Sequence, residues 1–445
     1  MIKYSIFFLL FFGIIFSIPE MDVDFSLGLG MFFCFCPLLF MNPINKFPLI
    51  QLVSIYNFFA YISPMIFHLE GYRYAKDVPY LRAILPFCQI LMLLGYYLIA
   101  SNSKNTLRFP SIKLIKSSVF DNISFSRFLN VTLFLNIFDL FPIEPTLYQI
   151  ARPFSFLLPC LFVYLFVKNK YKEVPIYSLI LVITFVFIKT ISLALGGLLL
   201  PFLMYLFLGF YVLILYKRYI VLFILTLIFL SFSFKLNSVK SNFRENTWYS
   251  NKEVTLSEKL IVFNELISKE NSNVVVFKKK INENTELLRF AHGYFYLCTV
   301  INQLDYTNDY YDGTTYLSIF TKIIPRAIWP DKPKEDFGQS IGRAFNLLDI
   351  DDTHTSVNLP IWVEFYINFG INGLVIMSFL LGILLGYISL KLCAISKDNL
   401  LDTAIKFSLL ANLYYMESNF TMRFGLLIPQ IYIYKFIIKK IWRNG

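Results

Sequence analysis

The residues from Ala194 to Tyr216, ALGGLLLPFLMYLFLGFYVLILY, run without a single charge. At a helical rise of about 1.5 Å per residue this segment reaches about 34 Å, enough to cross roughly 30 Å of hydrocarbon. Comparable apolar runs recur along the chain. In lipid every backbone N–H and C=O must be satisfied within the protein, so each run is read as a transmembrane helix. About twelve crossings are expected, near 2–18, 25–41, 47–67, 82–100, 128–143, 153–167, 174–188, 194–216, 219–234, 361–390, 402–418 and 424–440. Composition agrees: 57% hydrophobic and 19% aromatic residues against 16% charged is more apolar surface than a soluble core of this length can hide. The expected fold class is therefore an all-α polytopic membrane protein. About nine spans over 1–234 are followed by one large polar segment over 235–360 and about three spans over 361–445. The first run resembles a signal peptide in having one lysine before it, but PEMDVD offers no small-residue cleavage site, so it is kept as a span.

Lysine and arginine concentrate in short loops on the cytoplasmic side. With the N-terminus inside, the inner segments hold Lys3, Lys46, Lys104, Arg108, Lys113, Lys116, Arg127, Lys168, Lys170, Lys172, Lys217, Arg218, Lys391, Lys397, Lys439, Lys440 and Arg443. The short outer loops hold Arg73, Lys76, Arg82, Arg152, Lys189 and Arg423. This asymmetry puts both termini in the cytoplasm and the 235–360 segment outside, between spans nine and ten. The net charge of +11 is then accounted for by anchoring at anionic headgroups and requires no nucleic-acid partner. Cys34, Cys36, Cys88 and Cys160 fall within apolar runs, Cys393 follows one, and Cys298 stands in the large loop, so the six read as small core residues rather than a disulfide or zinc framework.

Within the large segment, LSEKLIVFNELIS (256–268) and ELLRFAHGYFYLCTVINQL (286–304) carry apolar residues at helical spacing, and the second is long enough to lie in the membrane interface. A different pattern follows at IIPRAIWPDKP (323–333). Pro325, Pro330 and Pro333 fix φ and bias their predecessors toward extended backbone, making a stiff strap that carries Arg326 and Lys332. Trp329 has the amphipathic ring favoured at headgroup level. A planar guanidinium and an ammonium on a rigid strap suit capture of a diphosphate or an acidic sugar, whereas the plainer reading has both cations meeting lipid phosphates.

The blocks DGTTYLSIFTKIIPRAIWPDKP (312–333), VEFYINFGINGLVIMSFLLGILLG (363–386) and the arginine of ESNFTMRFG, Arg423, occur in an order that resembles the Wzy-type oligosaccharide repeat-unit polymerases of O-antigen and capsule synthesis. The resemblance is detailed in the last third of the chain and extends to the rest through hydropathy and the late position of the large outer loop. An acidic pair in the first outer loop, Asp22 and Asp24, also resembles membrane glycosyltransferases of the GT-C class. What these resemblances imply is a glycosyltransferase at the outer face of the bacterial inner membrane. It would move a growing glycan from undecaprenyl diphosphate onto the next lipid-linked repeat unit. The implied partners are the lipid-linked oligosaccharide, membrane lipids and a protein that regulates chain length.

Such a reaction needs cations for the departing diphosphate and a base for the acceptor hydroxyl. Arg326, Lys332, Arg289, Arg423, Arg244 and Arg343 are the candidate cations. Arg289 and Arg423 lie in or beside apolar helices, where an unpaired charge is costly and usually functional. Pairing of Arg423 with Glu417, Arg289 with Glu286, and Arg343 with Asp349, Asp351 or Asp352 is the competing structural reading. Glu364 and His354 are the candidate bases, with His292 behind them. Glu364, Asn368 and Asn372 fall at i, i+4 and i+8 and would make one polar stripe facing a sugar, or a buried network tying helices together. Gly370 and Gly373 beside them would admit a close neighbour. Asp22–Asp24 and Asp349–Asp352 have spacings that can hold a divalent ion, but short acidic outer loops also follow from the charge asymmetry, so no metal or other cofactor is expected. A flippase for lipid-linked sugars is the alternative of another class, although the two related halves and midplane polar helices common in transporters are not evident. An O-antigen ligase, leaning on a loop histidine such as His354, is the alternative enzyme.

Overall fold

The computed structural model describes residues 24–38, 49–67, 78–100, 243, 246–247, 256–272, 291–324, 329–331, 337–351, 356–393, 409–410, 413, 416–425 and 427–442. Among these residues the chain is helical, without strands. The helices are α1 (Phe25–Phe35), α2 (Leu49–Ile66), α3 (Leu81–Ala100), α4 (Leu256–Ser272), α5 (His292–Thr307), α6 (Thr314–Ile323), α7 (Phe337–Ala344), α8 (Ile361–Cys393), α9 (Phe420–Phe424) and α10 (Leu427–Trp442). Three of them, α2, α3 and α8, are long and apolar enough to cross a membrane. They coincide with the expected spans 47–67, 82–100 and 361–390. The expected spans 2–18, 128–143, 153–167, 174–188, 194–216 and 219–234 lie outside the described residues. Helix α4 belongs to a separate unit, in which Phe243 meets Phe263 edge-on at 6.5 Å.

The remaining helices, up to Ile433 of α10, form one unit around the pair α3 and α8. Glycines set how close that pair comes. A Cβ on Gly382 would run into the Met92 carbonyl, one on Gly95 into the Phe379 carbonyl, and one on Gly386 would sit 2.9 Å from the Tyr96 carbonyl. With lipid as apolar as leucine, such small-residue seams are how membrane helices gain packing. On the other side of α3, Pro86 sits within the helix and its ring fills the place a side chain at Gly30 of α1 would take.

Helix α2 widens into a π turn over Phe58–Ile62. The cause is Pro64, whose missing N–H removes one rung of the ladder. Three buried amides and a hydroxyl knit α1, α2 and α3 together. Asn57 donates to Gln89 Oε1 at 2.9 Å, and Gln89 donates to Ser54 Oγ at 3.0 Å and to the Phe33 carbonyl at 3.3 Å, while Gln51 reaches the Pro37 carbonyl. Asp24 caps α1 by accepting from the Leu27 amide at 2.7 Å, and its other oxygen lies 3.9 Å from Arg82. The acid considered for a metal thus serves as a helix cap.

Within the amphipathic stretch 286–304, whose residues 286–290 lie outside the described ones, helix α5 starts at His292 and packs its Gly293 onto Tyr61 in the π turn. Helix α8, expected as one span, is not one rod. Phe369 (φ −140°, ψ 15°) and Gly370 (φ 62°, ψ −150°) break it, leaving Ile361–Asn368 as a short buried segment and the longer remainder beyond the kink. The stripe of Glu364, Asn368 and Asn372 is therefore cut: the first two are fully buried, while Asn372 is exposed.

Candidate functional site

The kink frees the last carbonyls of the first α8 segment from their helical donors, and a turn ahead of α6 takes the vacant places. Tyr311 N–H donates to the Ile367 carbonyl at 3.0 Å, Asp312 N–H to the Asn368 carbonyl at 3.2 Å, and Gly313 N–H to Asn368 Oδ1 at 2.9 Å. Presenting successive amides this way needs left-handed backbone at Asp312 (φ 47°) and Gly313 (φ 84°). A side chain at Gly313 would also press on the Phe369 ring, 3.1 Å from where its Cβ would stand. Gly370 in turn adopts a φ/ψ pair open essentially to glycine alone, with Tyr310 packed against it.

Below this turn lies the Glu364 carboxylate, wholly enclosed. Thr315 donates its hydroxyl to Oε1 at 2.9 Å and the Phe420 amide donates to Oε2 at 2.6 Å. Asn368 donates to Thr315 Oγ1 and to the Glu364 carbonyl, both at 2.8 Å, so its amide nitrogen is fully used. In the described arrangement Glu364 and Asn368 join α6, α8 and α9 and turn no polar atom toward solvent. Tyr316 covers the group, stacked on Phe369 at 6.3 Å and edge-on to Phe420 at 5.7 Å.

The cluster continues along the α6–α9 seam. Ser318 donates to Thr421 Oγ1 at 2.8 Å, and Lys322, almost completely buried, meets Met422 Sδ at 3.3 Å with its stem lying over Gly425. Asn419 caps α9 through the Met422 amide, and Arg423, on the same helix, donates to Ser418 Oγ at 3.0 Å. The Ile361 amide reaches back to the Met416 carbonyl, so the α9 strap is tied to α8 at two points. A neighbouring phenol chain joins α3, α5 and α8: Tyr366 donates to Asp305 at 2.8 Å, with Tyr80 Oη 3.5 Å from Tyr366. Burial pushes the Tyr80 phenol up, its contact with Tyr366 pulling the other way, so it stays protonated at neutral pH.

Thr315 of the block 312–333 and Phe420 of ESNFTMRFG thus meet around the carboxylate of Glu364, in the block 363–386. A family model described as Domain of unknown function (DUF8712) matches residues 3–443. The chain belongs to that family. No curated protein and no solved structure matches it. DUF8712 membership covers the whole bundle and the large polar segment alike, and it assigns no chemistry to either.

Of the site residues read from the sequence of this DUF8712 protein, Glu364 and Asn368 come together, and Arg423 lies on α9, whose Phe420 amide reaches the Glu364 carboxylate. Arg343 stands half-buried on α7, which is tied to α5 by Gln303 donating to the Ala344 carbonyl at 2.7 Å. His292 begins α5 and stacks on Tyr296 at 5.6 Å. Trp329 is partly exposed. Arg326, Lys332, Arg289, Arg244 and His354 lie outside the described residues. Two members of the cluster were missed by sequence reasoning, Thr315 and Lys322. Their signal was available: with Ser318 they recur at i, i+3 and i+7 in an otherwise apolar helix.

Proposed function

We propose that this chain polymerises undecaprenyl diphosphate-linked oligosaccharide repeat units into O-antigen or capsular polysaccharide at the outer face of the bacterial inner membrane. The observation that carries the reading is the convergence just described: the three blocks behind the resemblance, spread over more than a hundred residues of sequence, interlock at Glu364 and Asn368 through Gly313, Thr315 and Phe420. Membrane residence is supported by α2, α3 and α8.

In this reading Arg423 joins Arg326, Lys332, Arg289, Arg244 and Arg343 in holding the diphosphate as it departs. Charge-assisted hydrogen bonds from guanidinium groups would stabilise the negative charge that develops there. Either Glu364 or His354 accepts the acceptor hydroxyl proton. For Glu364 this requires the Thr315 and Phe420 contacts to open; while they hold, the carboxylate positions the seam that carries Arg423. No cofactor takes part.

The test is the electrophoretic profile of surface polysaccharide after deletion of the gene, with restoration by wild type, by Arg326→Ala and by Arg423→Lys. Collapse of a ladder to one repeat unit on the acceptor lipid, unrestored by the arginine variants, supports polymerisation. Loss of the single-unit band as well would assign the lost step to flipping or ligation and overturn the proposal.

A further inference from the structure

Helix α6 is built inside out. Its polar stripe, Thr315, Ser318 and Lys322, faces the protein, with Thr315 only 4% and Lys322 only 5% exposed. Leu317, Phe320 and Ile324, at the same three- and four-residue spacing on the far side, point away, 61%, 68% and 36% exposed. A helix bordering water turns its apolar stripe inward. The reverse arrangement is favourable only where the surroundings are less polar than the protein's own interior.

The threonine and serine hydroxyls of α6 all find partners inside the protein, as hydrocarbon requires, and the Tyr316 hydroxyl is buried. Thr314 donates to the Tyr311 carbonyl at 2.8 Å and Thr315 to Glu364, the Ser318 hydroxyl lies 2.8 Å from both Thr421 Oγ1 and the Thr315 carbonyl, and Thr321 donates to the Ser318 carbonyl at 2.9 Å. The amides just ahead of the helix, from Tyr311 to Gly313, are bonded to α8. The outward apolar surface is also continuous with that of a spanning helix. Tyr316 stacks on the exposed Phe369, next to it stand the exposed Ile371 and Asn372, and Ile376 and Leu380 carry the apolar face down α8.

We infer that α6 is seated in the lipid bilayer, with Leu317, Phe320 and Ile324 among the acyl chains. Ten residues make a helix about 15 Å long, half the hydrocarbon thickness, so α6 enters without crossing. Part of the 235–360 segment, read from composition as an aqueous loop, returns to the membrane, and it delivers the Glu364 cluster to the bilayer surface. This holds whatever reaction the protein performs.

The experiment is spin labelling of the full-length protein in phosphatidylcholine vesicles free of polyprenyl lipid. A nitroxide is placed at Phe320→Cys in a protein whose Cys160 and Cys393 are replaced by serine, with labelling of that parent as background because Cys34, Cys36, Cys88 and Cys298 are buried. Leu94→Cys, on the exposed face of α3, serves as the lipid reference, and Asp351→Cys, in an exposed acidic turn, as the aqueous one. The ratio of oxygen to nickel-chelate collision rates at position 320 is expected to match position 94 and to exceed position 351 severalfold. A ratio equal to that at 351 overturns the inference by showing the face in water. Low collision rates with both reagents overturn it by showing protein cover, such as a second copy. Should Phe320→Cys fail to fold, Leu317→Cys reads the same face with the same expectation.

Discussion

Replacing Asn368 by alanine removes three hydrogen bonds at once: from Gly313 N–H at 2.9 Å, and to Thr315 Oγ1 and the Glu364 carbonyl at 2.8 Å each. At a net of about 1 kcal/mol per bond, with about 1–2 kcal/mol more for the buried groups left unsatisfied, the loss is about 4–5 kcal/mol. Asn372→Ala is the matched control, because the kink turns Asn372 to the surface, where such changes cost at most about 0.5 kcal/mol. The assay is thermal unfolding of the purified protein in detergent, followed by intrinsic tryptophan fluorescence. Asn368→Ala should melt well below wild type and Asn372→Ala alongside it. Adding Thr315→Val to Asn368→Ala should cost less than the sum of the two single changes, since both belong to one network. Equal melting of the two asparagine variants would mean that α8 is unbroken and that the turn before α6 is not docked on it.

Three further outcomes follow from the same geometry. Gly370→Ala forces a side chain into a glycine-only backbone region against Tyr310 and should cost about 1–3 kcal/mol in the same melt. Gly382→Leu drives a side chain into the Met92 carbonyl and should separate α3 from α8, seen as loss of the folded monodisperse peak on size exclusion. Asp24→Ala should cost about 1 kcal/mol through the lost cap on Leu27, whereas Asp24→Asn keeps the accepting oxygen and Arg82→Ala changes little, the Asp24–Arg82 contact being 3.9 Å long and partly exposed.

Hydropathy made α2, α3 and α8 legible to within a few residues, because a span's length is fixed by the bilayer and its composition by lipid. The kink was not legible. NFG within 363–386 reads as a glycine allowing close approach, and only the turn at Tyr311–Gly313, some fifty-five residues earlier, supplies the donors that make breaking the helix tolerable. The same long-range contact makes Glu364 and Asn368 the buried network rather than the open stripe, two arrangements between which the i, i+4 spacing does not choose. Charge drew attention to the arginines, although the cation most deeply buried in the cluster is Lys322, whose neighbours Met422 and Gly425 come from a helix a hundred residues away. Helix α6 was assigned to an aqueous loop because ten residues are too few to register as a span; which of its two stripes faces outward is a property of the packing.

Polymerisation itself is tested most directly with the purified protein in lipid vesicles, supplied with a single undecaprenyl diphosphate-linked repeat unit and no other enzyme. The expected result is a ladder of lipid-linked oligomers with one undecaprenyl diphosphate released per new glycosidic bond, lost in Arg423→Lys and Arg326→Ala. Transfer of the intact lipid-linked unit from one leaflet to the other, with no oligomer and no diphosphate released, would contradict it.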